Sequence, residues 1–342
     1  MIDIVRMQEK IISLEKWFNQ NFDKSKSPIK IKQIEGGQSN PTYLIERSRK
    51  KYILRSRPTG KLLPSAHAID REFRILDSLY DTVVPVPEVY IFCEDEKVFG
   101  SSFYLMEFLE GRIFYDPTLP GVNNYDREKI FYEMIKVLAN LHKLDYKKLG
   151  LNDFGKENLY VNRQVKRWTE QYRKSESKEI KSMEYLIEWV PKNIPNESLT
   201  SIVHGDYRID NLIFHPKKPE VIGVLDWEIS TLGNPYADFA YNAMIWRLTK
   251  NQFRGLKDSN LLSLGIPSEK EYYKKYLEFM GIDGIPSWNF YIIYNMFRLA
   301  AILQGIAGRV RDGTASSPEA SKMEKLVKPI ADSAWKQAKG IV

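Results

Sequence analysis

The chain has 342 residues, 43% hydrophobic and 28% charged, with a formal net charge of +7 and a pI near 9.1. That length supports two lobes with separate cores, and the composition is that of an ordinary soluble globular protein. The single cysteine, Cys93, excludes an intramolecular disulfide and a cysteine-based zinc site, and is expected as a small buried apolar residue.

No apolar run approaches a membrane span, so no membrane association is expected. The first residues carry interspersed acids and no small-residue cleavage site, so no signal peptide is expected and the default location is cytoplasmic. The positive charge favours an anionic partner. It comes without a nucleic-acid-binding motif or a concentrated basic tail, so a phosphate-bearing small molecule is the expected partner rather than nucleic acid.

In chain order, Ile4, Ile11, Leu14 and Phe18 recur at helical spacing and predict an amphipathic first helix. Strands are expected over 29–35, 41–46 and 52–55. Gly36, Gly37, Gln38, Ser39 and Asn40 form the loop between the first two, with backbone N–H groups able to approach phosphates. Ser65 is expected to cap a helix over 66–80. Its Glu72 lies at the edge of the inward stripe and needs a partner, for which Arg55 on the preceding strand is the candidate.

Two more strands are expected over 88–92 and 98–108, joined by an acidic turn at 94–96. The pattern then changes from β-rich to helical, which places a boundary at 107 between an N-terminal lobe, 1–107, and a C-terminal lobe, 108–342. Helices follow over 126–142, as a polar surface pair within 158–185, and near 236–248, 269–280, 289–306 and 318–339. His142 is expected to bond a neighbouring loop, and Trp227, Tyr241, Trp246 and Tyr294 to be core.

The chemistry concentrates in residues 202–238. His204-Gly205-Asp206 is followed by Asn211 and then by Leu225-Asp226-Trp227-Glu228, with expected strands over 212–215 and 221–225 between them. Two carboxylates and an amide, each at the end of a short apolar run, suit magnesium-dependent phosphoryl transfer. Asp206 can orient a hydroxyl and take its proton, while Asn211 and Asp226 can hold a hard cation through oxygen.

The runs HGDYRIDN and LDWE resemble the catalytic and metal-binding loops of the aminoglycoside phosphotransferase-like kinases, which have the protein-kinase-like fold. Residues 54–67, Leu232-Gly233-Asn234-Pro235 with Asp238, and Gln304-Gly305 with Arg309 are similar to the branch of kinase-like domains fused to acyl-CoA dehydrogenases. The resemblance implies an α+β, two-lobe protein with a β-rich N-lobe and a mainly helical C-lobe. It implies Asp206 as catalytic base and Asn211 and Asp226 as Mg2+ ligands.

ATP would be held by the loop of Gly36, Gly37, Ser39 and Asn40, by Arg55 with Glu72, and by the backbone of Met106, Glu107, Phe108 and Leu109 at adenine. Arg55 departs from the lysine usual in kinases, although a guanidinium also binds carboxylate and phosphate bidentately. Asp238 would brace the catalytic loop. Arg208 would contact phosphate or form an ion pair within the loop, and Glu228 would aid the metal or hydrogen-bond the loop. The implied activity is ATP-dependent phosphorylation of a small-molecule hydroxyl, the branch suggesting a hydroxyacyl compound. The alternatives are an aminoglycoside or other antibiotic kinase, and a catalytically silent nucleotide-binding pseudokinase.

Overall fold

A computed structural model describes residues 2–34, 40–58, 68–196, 199–312 and 320–340, with only the backbone for 2–7, 320 and 321. Gly36, Gly37 and Ser39 of the expected phosphate loop, and the expected cap Ser65, lie outside these residues. Two compact units divide the chain, Met1–Glu110 with Ile222–Glu228, and Gly111–Val221 with Ile229–Val342. The division falls three residues beyond the expected 107, and the first unit takes back 222–228. Hydrogen bonding explains the return, because Val224 N–H donates to Pro85 O at 2.9 Å.

The first unit begins with α1 (Ile2–Asn21), whose Leu14 and Phe18 are fully buried. Strands β1 (Lys30–Gln33), β2 (Thr42–Arg47) and β3 (Lys50–Ser56) follow, then α2 (Ile69–Tyr80) and β4 (Val89–Cys93). A short helix α3 (Glu96–Phe99) and β5 (Phe103–Glu107) complete this part. The five strands form one sheet in the order β1-β2-β3-β5-β4, each adjacent pair antiparallel.

Alternation along β3 assigns its two faces. Tyr52 and Leu54 join Leu14, Phe18, Phe103 and the buried Cys93 in one core. Arg55, one residue on, points away from that core to the α2 side, where Glu72 is 1% exposed between buried Ile69 and Ile75. The expected strand start at 98 is displaced to 103. Asp95 accepts Lys97 N–H and caps α3, and Gly100 ends it at φ +91, a left-handed exit that suits glycine.

The second unit contains α4 (Asn124–Lys143), α5 (Tyr160–Ser175) and α6 (Lys181–Lys192), then β6 (Ser201–Val203) and β7 (Leu212–Phe214). Strand β8 (Val221–Val224) carries the chain back into the first unit, and β9 (Thr231–Gly233) pairs antiparallel with β6. Helices α7 (Pro235–Ala243), α8 (Lys250–Phe253), α9 (Leu261–Leu264), α10 (Glu269–Met280), α11 (Trp288–Arg311) and α12 (Ala320–Lys339) follow.

The helix expected over 236–248 stops at Ala243 and tightens into a 3-10 turn at Met244–Arg247, because Thr249 then caps α8 through a capping box with Gln252. Helix α11 packs against α5, α7 and α12 and is the spine of this unit. With 24 residues it is long and apolar enough to cross a membrane by length and composition, contrary to the sequence expectation, but 89% of its most apolar stretch is buried within the protein. It is a core helix.

Candidate active site

In the first unit a buried charge cluster forms where β3, α2, β5 and the 222–228 return converge. Arg55 Nε lies 2.8 Å from Glu72 Oε2, and Arg55 Nη2 donates to Asp226 Oδ1 at 2.8 Å. Tyr104, fully buried, stands opposite Arg55 in the β3–β5 register. Burial alone would push the guanidinium down. Glu72, Tyr104, Asp226 and Glu228 more than reverse this and hold Arg55 charged. Burial pushes the Glu72 carboxyl up, against the opposing pull of Arg55.

Asp226 sits at φ +65, the left-handed region that Asp tolerates better than most non-glycine residues. The fully buried indole of Trp227 locks this turn by donating to Val224 O at 2.9 Å. Glu228, half-buried, contributes negative field at Arg55. At the end of β5, Glu107 N–H is taken by Glu88 O at 2.8 Å. That N–H is committed within the sheet, so adenine recognition by residues 106–109 would fall to the other groups of Met106, Phe108 and Leu109. Asn40 is buried, 1% exposed.

In the second unit, β6 delivers the chain into His204-Gly205-Asp206. Gly205 has φ +83, and a side chain there would be strained and crowded against Ile229. The buried His204 accepts Asp206 N–H through Nδ1 at 3.2 Å. A 3-10 turn at Ile209–Asn211 brings Asn211 back onto the loop. Its Nδ2 donates to Asp206 O at 2.8 Å and to Asp206 Oδ2 at 3.2 Å. Arg208 Nε lies 3.0 Å from Asp206 Oδ1, and its Nη2 lies 3.6 Å from Asp210, which also pairs with Arg254 at 2.6 Å. In this structure Arg208 is therefore an ion-pair partner inside the loop.

The loop is braced from α7. Asp238 accepts His204 N–H through Oδ2 and Gly205 N–H through Oδ1, each at 2.8 Å. His142 reaches Asp238 through Nε2 at 3.2 Å and Tyr276 Oη through Nδ1 at 2.7 Å, so it bonds a helix carboxylate rather than the loop expected from sequence. Burial pushes the Asp238 carboxyl up, but the hydrogen bond and charge of His142, with His204, outweigh this and hold it below the usual value of 3.8.

Replacing Asp238 with alanine is expected to destabilise the protein by about 3 kcal/mol, since two backbone donors and a histidine lose a buried acceptor. A carboxyl held low in the folded state stabilises above its unfolded pKa, and that stabilisation is lost as pH falls through the folded value. The difference in unfolding free energy between wild type and Asp238→Ala, measured in urea, is therefore expected to shrink on acidification below pH 3.8. A difference independent of pH would contradict this.

Two further side chains converge on the loop that sequence reasoning assigned to the core or did not single out. The hydroxyl of Tyr241 donates to Asp206 Oδ1 at 2.6 Å, and Arg298 Nη2 donates to Gly205 O at 2.7 Å. Tyr241 follows Asp238 by three positions on α7, so the two share one helix face, and that spacing was the available signal. Beside Tyr241 and Arg208 opens a recess of about 490 Å3, counting its solvent-open part, floored by Phe131, Met134, Ile209, Met244 and Phe253.

Comparison with known proteins adds relationship to this geometry. The sequence pattern of the phosphotransferase enzyme family matches residues 30–272. The chain is 47% identical over 313 residues to acyl-CoA dehydrogenase family member 10 of Mus musculus, covering 91% of this chain and 29% of that protein. It thus spans less than half the length of that relative. A candidate aminoglycoside phosphotransferase from Ralstonia eutropha superposes with a TM-score of 0.87 at 45% identity, over 96% of this chain and 98% of that one. A thermostable mutant of aminoglycoside phosphotransferase APH(4)-Ia, in ternary complex with AMP-PNP and hygromycin B, gives 0.65 at 13% identity, over 96% and 99%. The latter likeness concerns the fold, which is protein-kinase-like, with a sheet-rich N-terminal region and a helical C-terminal part.

Proposed function

The chain belongs to the phosphotransferase enzyme family, and from that premise we propose that it transfers the γ-phosphoryl group of ATP to a small-molecule hydroxyl, with magnesium. The observation that carries the reading is the Asp206 loop. One half-buried carboxylate is fixed by Asn211, Arg208 and Tyr241 on a loop whose backbone is pinned by Asp238 and Arg298. Asp206 accepts the proton as the acceptor O–H bond breaks. The new O–P bond forms at the γ-phosphorus, and the bond to the β-phosphate oxygen breaks with its electron pair leaving on ADP.

Each unit offers one oxygen donor of the kind a hard cation takes. Asn211 spends its Nδ2 on Asp206, leaving Oδ1 as an oxygen donor, and Asp226 spends Oδ1 on Arg55, leaving Oδ2. Among the described residues no cluster of three or more His, Cys, Asp or Glu could hold a metal. Magnesium keeps waters and takes phosphate oxygens beside one or two protein ligands, so one amide oxygen and one carboxylate oxygen meet its need. Asn211 and Asp226 are the residues that would hold it, and when bound it neutralises charge on the phosphates. Arg55, anchored by Glu72, fixes the Asp226 carboxylate and is the nucleotide-side guanidinium of the proposal.

The recess beside Tyr241 supports an acceptor with an apolar body. Its floor is aliphatic and aromatic, and Arg208 and Arg254 stand at its polar side with Asp210. Such a lining suits a hydroxyacyl compound better than a polycationic aminoglycoside, and the dehydrogenase relative's name points to the same acyl chemistry. The presence of Asp206, Asn211 and Asp226 together argues against a pseudokinase.

The test is incubation with magnesium and γ-labelled ATP against hydroxy acids, hydroxyacyl-CoAs and aminoglycosides. Label on hydroxyacyl compounds alone is expected, and label on aminoglycosides alone would replace that acceptor class. Calorimetry of magnesium–ATP binding is expected to show Asp226→Ala weakening affinity more than Asp206→Ala does. Equal losses in the two variants would contradict the division of roles.

A further inference from the structure

Two buried side chains meet at the Asp206 loop, Tyr241 on the carboxylate and Arg298 on the Gly205 carbonyl. Tyr241, 4% exposed, places its hydroxyl 2.6 Å from Oδ1. Arg298, also 4% exposed, lies over the Tyr241 ring at 4.8 Å and the Trp168 ring at 5.6 Å. Its Nη2 is spent on Gly205 O, and its Nε has no hydrogen-bond partner. Burial alone would push Arg298 down, but Tyr294, Tyr160, Tyr241 and the Asp206 carboxylate more than reverse this and hold it charged. Here it draws density from the phenol ring and so strengthens the O–H donor aimed at Asp206.

The two oxygens of Asp206 are unequal. Oδ1 is held by Tyr241 and by Arg208 Nε at 3.0 Å, whereas Oδ2 receives the longer 3.2 Å contact from Asn211. Arg208 is shared with Asp210 and its side chain is 27% exposed, so alone it is a loose anchor. The Tyr241 hydroxyl comes from a buried helix and is rigid by comparison.

We propose that Tyr241 is a positioning residue for phosphoryl transfer, holding Oδ1 of Asp206 so that Oδ2 is presented to the acceptor hydroxyl. The inference rests on Asp206 acting as the base. Burial and then the Asp206 carboxylate push the Tyr241 phenol far above its usual value, so it stays protonated and donates. Without the hydroxyl, the carboxylate is free to rotate toward Arg208 and loses its orientation toward the acceptor.

The experiment uses the full chain, magnesium, γ-labelled ATP and water as the phosphoryl acceptor. Tyr241→Phe is expected to lower kcat by about 10–100-fold, the scale of a misplaced catalytic group, with KM for ATP changed less than about twofold. Thermal unfolding shows whether Tyr241→Phe folds as wild type does. A double-mutant cycle then separates positioning from packing. In an Asp206→Asn background, removing the hydroxyl is expected to change the residual rate less than about threefold. An equal fold-loss in both backgrounds, or a kcat within twofold of wild type, would overturn the proposal. A wild type silent toward water is assayed with the hydroxy-acid, hydroxyacyl-CoA and aminoglycoside acceptors, and the variants are then compared with whichever acceptor turns over. No turnover of ATP by the wild type with any of them would remove the phosphotransfer reading and this inference together.

Discussion

Replacing Asp206 with alanine is expected to lower phosphoryl transfer by roughly 10²–10⁴-fold, the contribution of a positioned general base. The protein should remain folded, because Asp206 is half-buried and the loop backbone is held by other groups. His204 N–H and Gly205 N–H are bound by Asp238, and Gly205 O by Arg298. One local effect is expected, since Arg208 and Tyr241 lose a shared acceptor and Arg208 is left with Asp210. Measured rates with γ-labelled ATP settle it. Turnover within threefold of wild type would remove Asp206 as the base, whereas loss of both turnover and the cooperative unfolding transition would mean the residue is structural.

Arg55→Met is the second large effect. Arg55 separates two carboxylates, one nearly inaccessible on α2 and one on the turn after β8. Methionine keeps much of the volume but leaves Glu72 buried without its cation, which should destabilise the protein by about 3–5 kcal/mol. Glu72 is already raised by burial with Arg55 opposing, so losing Arg55 raises it further. A carboxyl whose folded pKa exceeds its unfolded one stabilises below the unfolded value and loses that as pH rises through the folded value. The deficit of Arg55→Met should therefore grow from acid toward neutral pH. Adding Glu72→Leu should recover most of it, since an apolar pair of similar volume replaces the buried ion pair. Chemical denaturation of the single and double variants across pH measures both effects. A pH-independent deficit that the second substitution leaves in place would contradict the account.

Much of this arrangement was legible because local chemistry and long-range pattern agree. The expected strand over 52–55 and the inward stripe of the next helix, with Glu72 at its edge in need of a partner, paired Arg55 with Glu72 before any contact was visible. The change from β-rich to helical pattern after β5 marked the boundary, and the fold class followed from the resemblance carried by the motifs of residues 202–238. Other features were not legible, for identifiable reasons. Asp95 and Gly100 turned residues 96–99 into one helical turn where apolar Val98 and Phe99 would equally have suited a strand. Strand β9 is three residues long and carries no alternation to read.

The ion pair from Arg55 to Asp226 joins groups 171 positions apart. Chemistry had marked Asp226 as a metal ligand rather than as a partner of Arg55. Tyr241 read as core because its ring is buried, and pattern reports burial of a ring without reporting where its hydroxyl ends. Arg298 was hidden in an almost wholly apolar helix, where a charge is visible in the sequence but its reason is not.

The most direct measurement is mass analysis of the acceptor after incubation of the protein with magnesium, γ-labelled ATP and a hydroxyacyl-CoA series. The account predicts a phosphate ester on the acyl hydroxyl, carrying the γ label and missing when Asp206→Ala replaces the wild type. Label recovered with no ester on any hydroxyl acceptor, or an ester formed equally by Asp206→Ala, would contradict it.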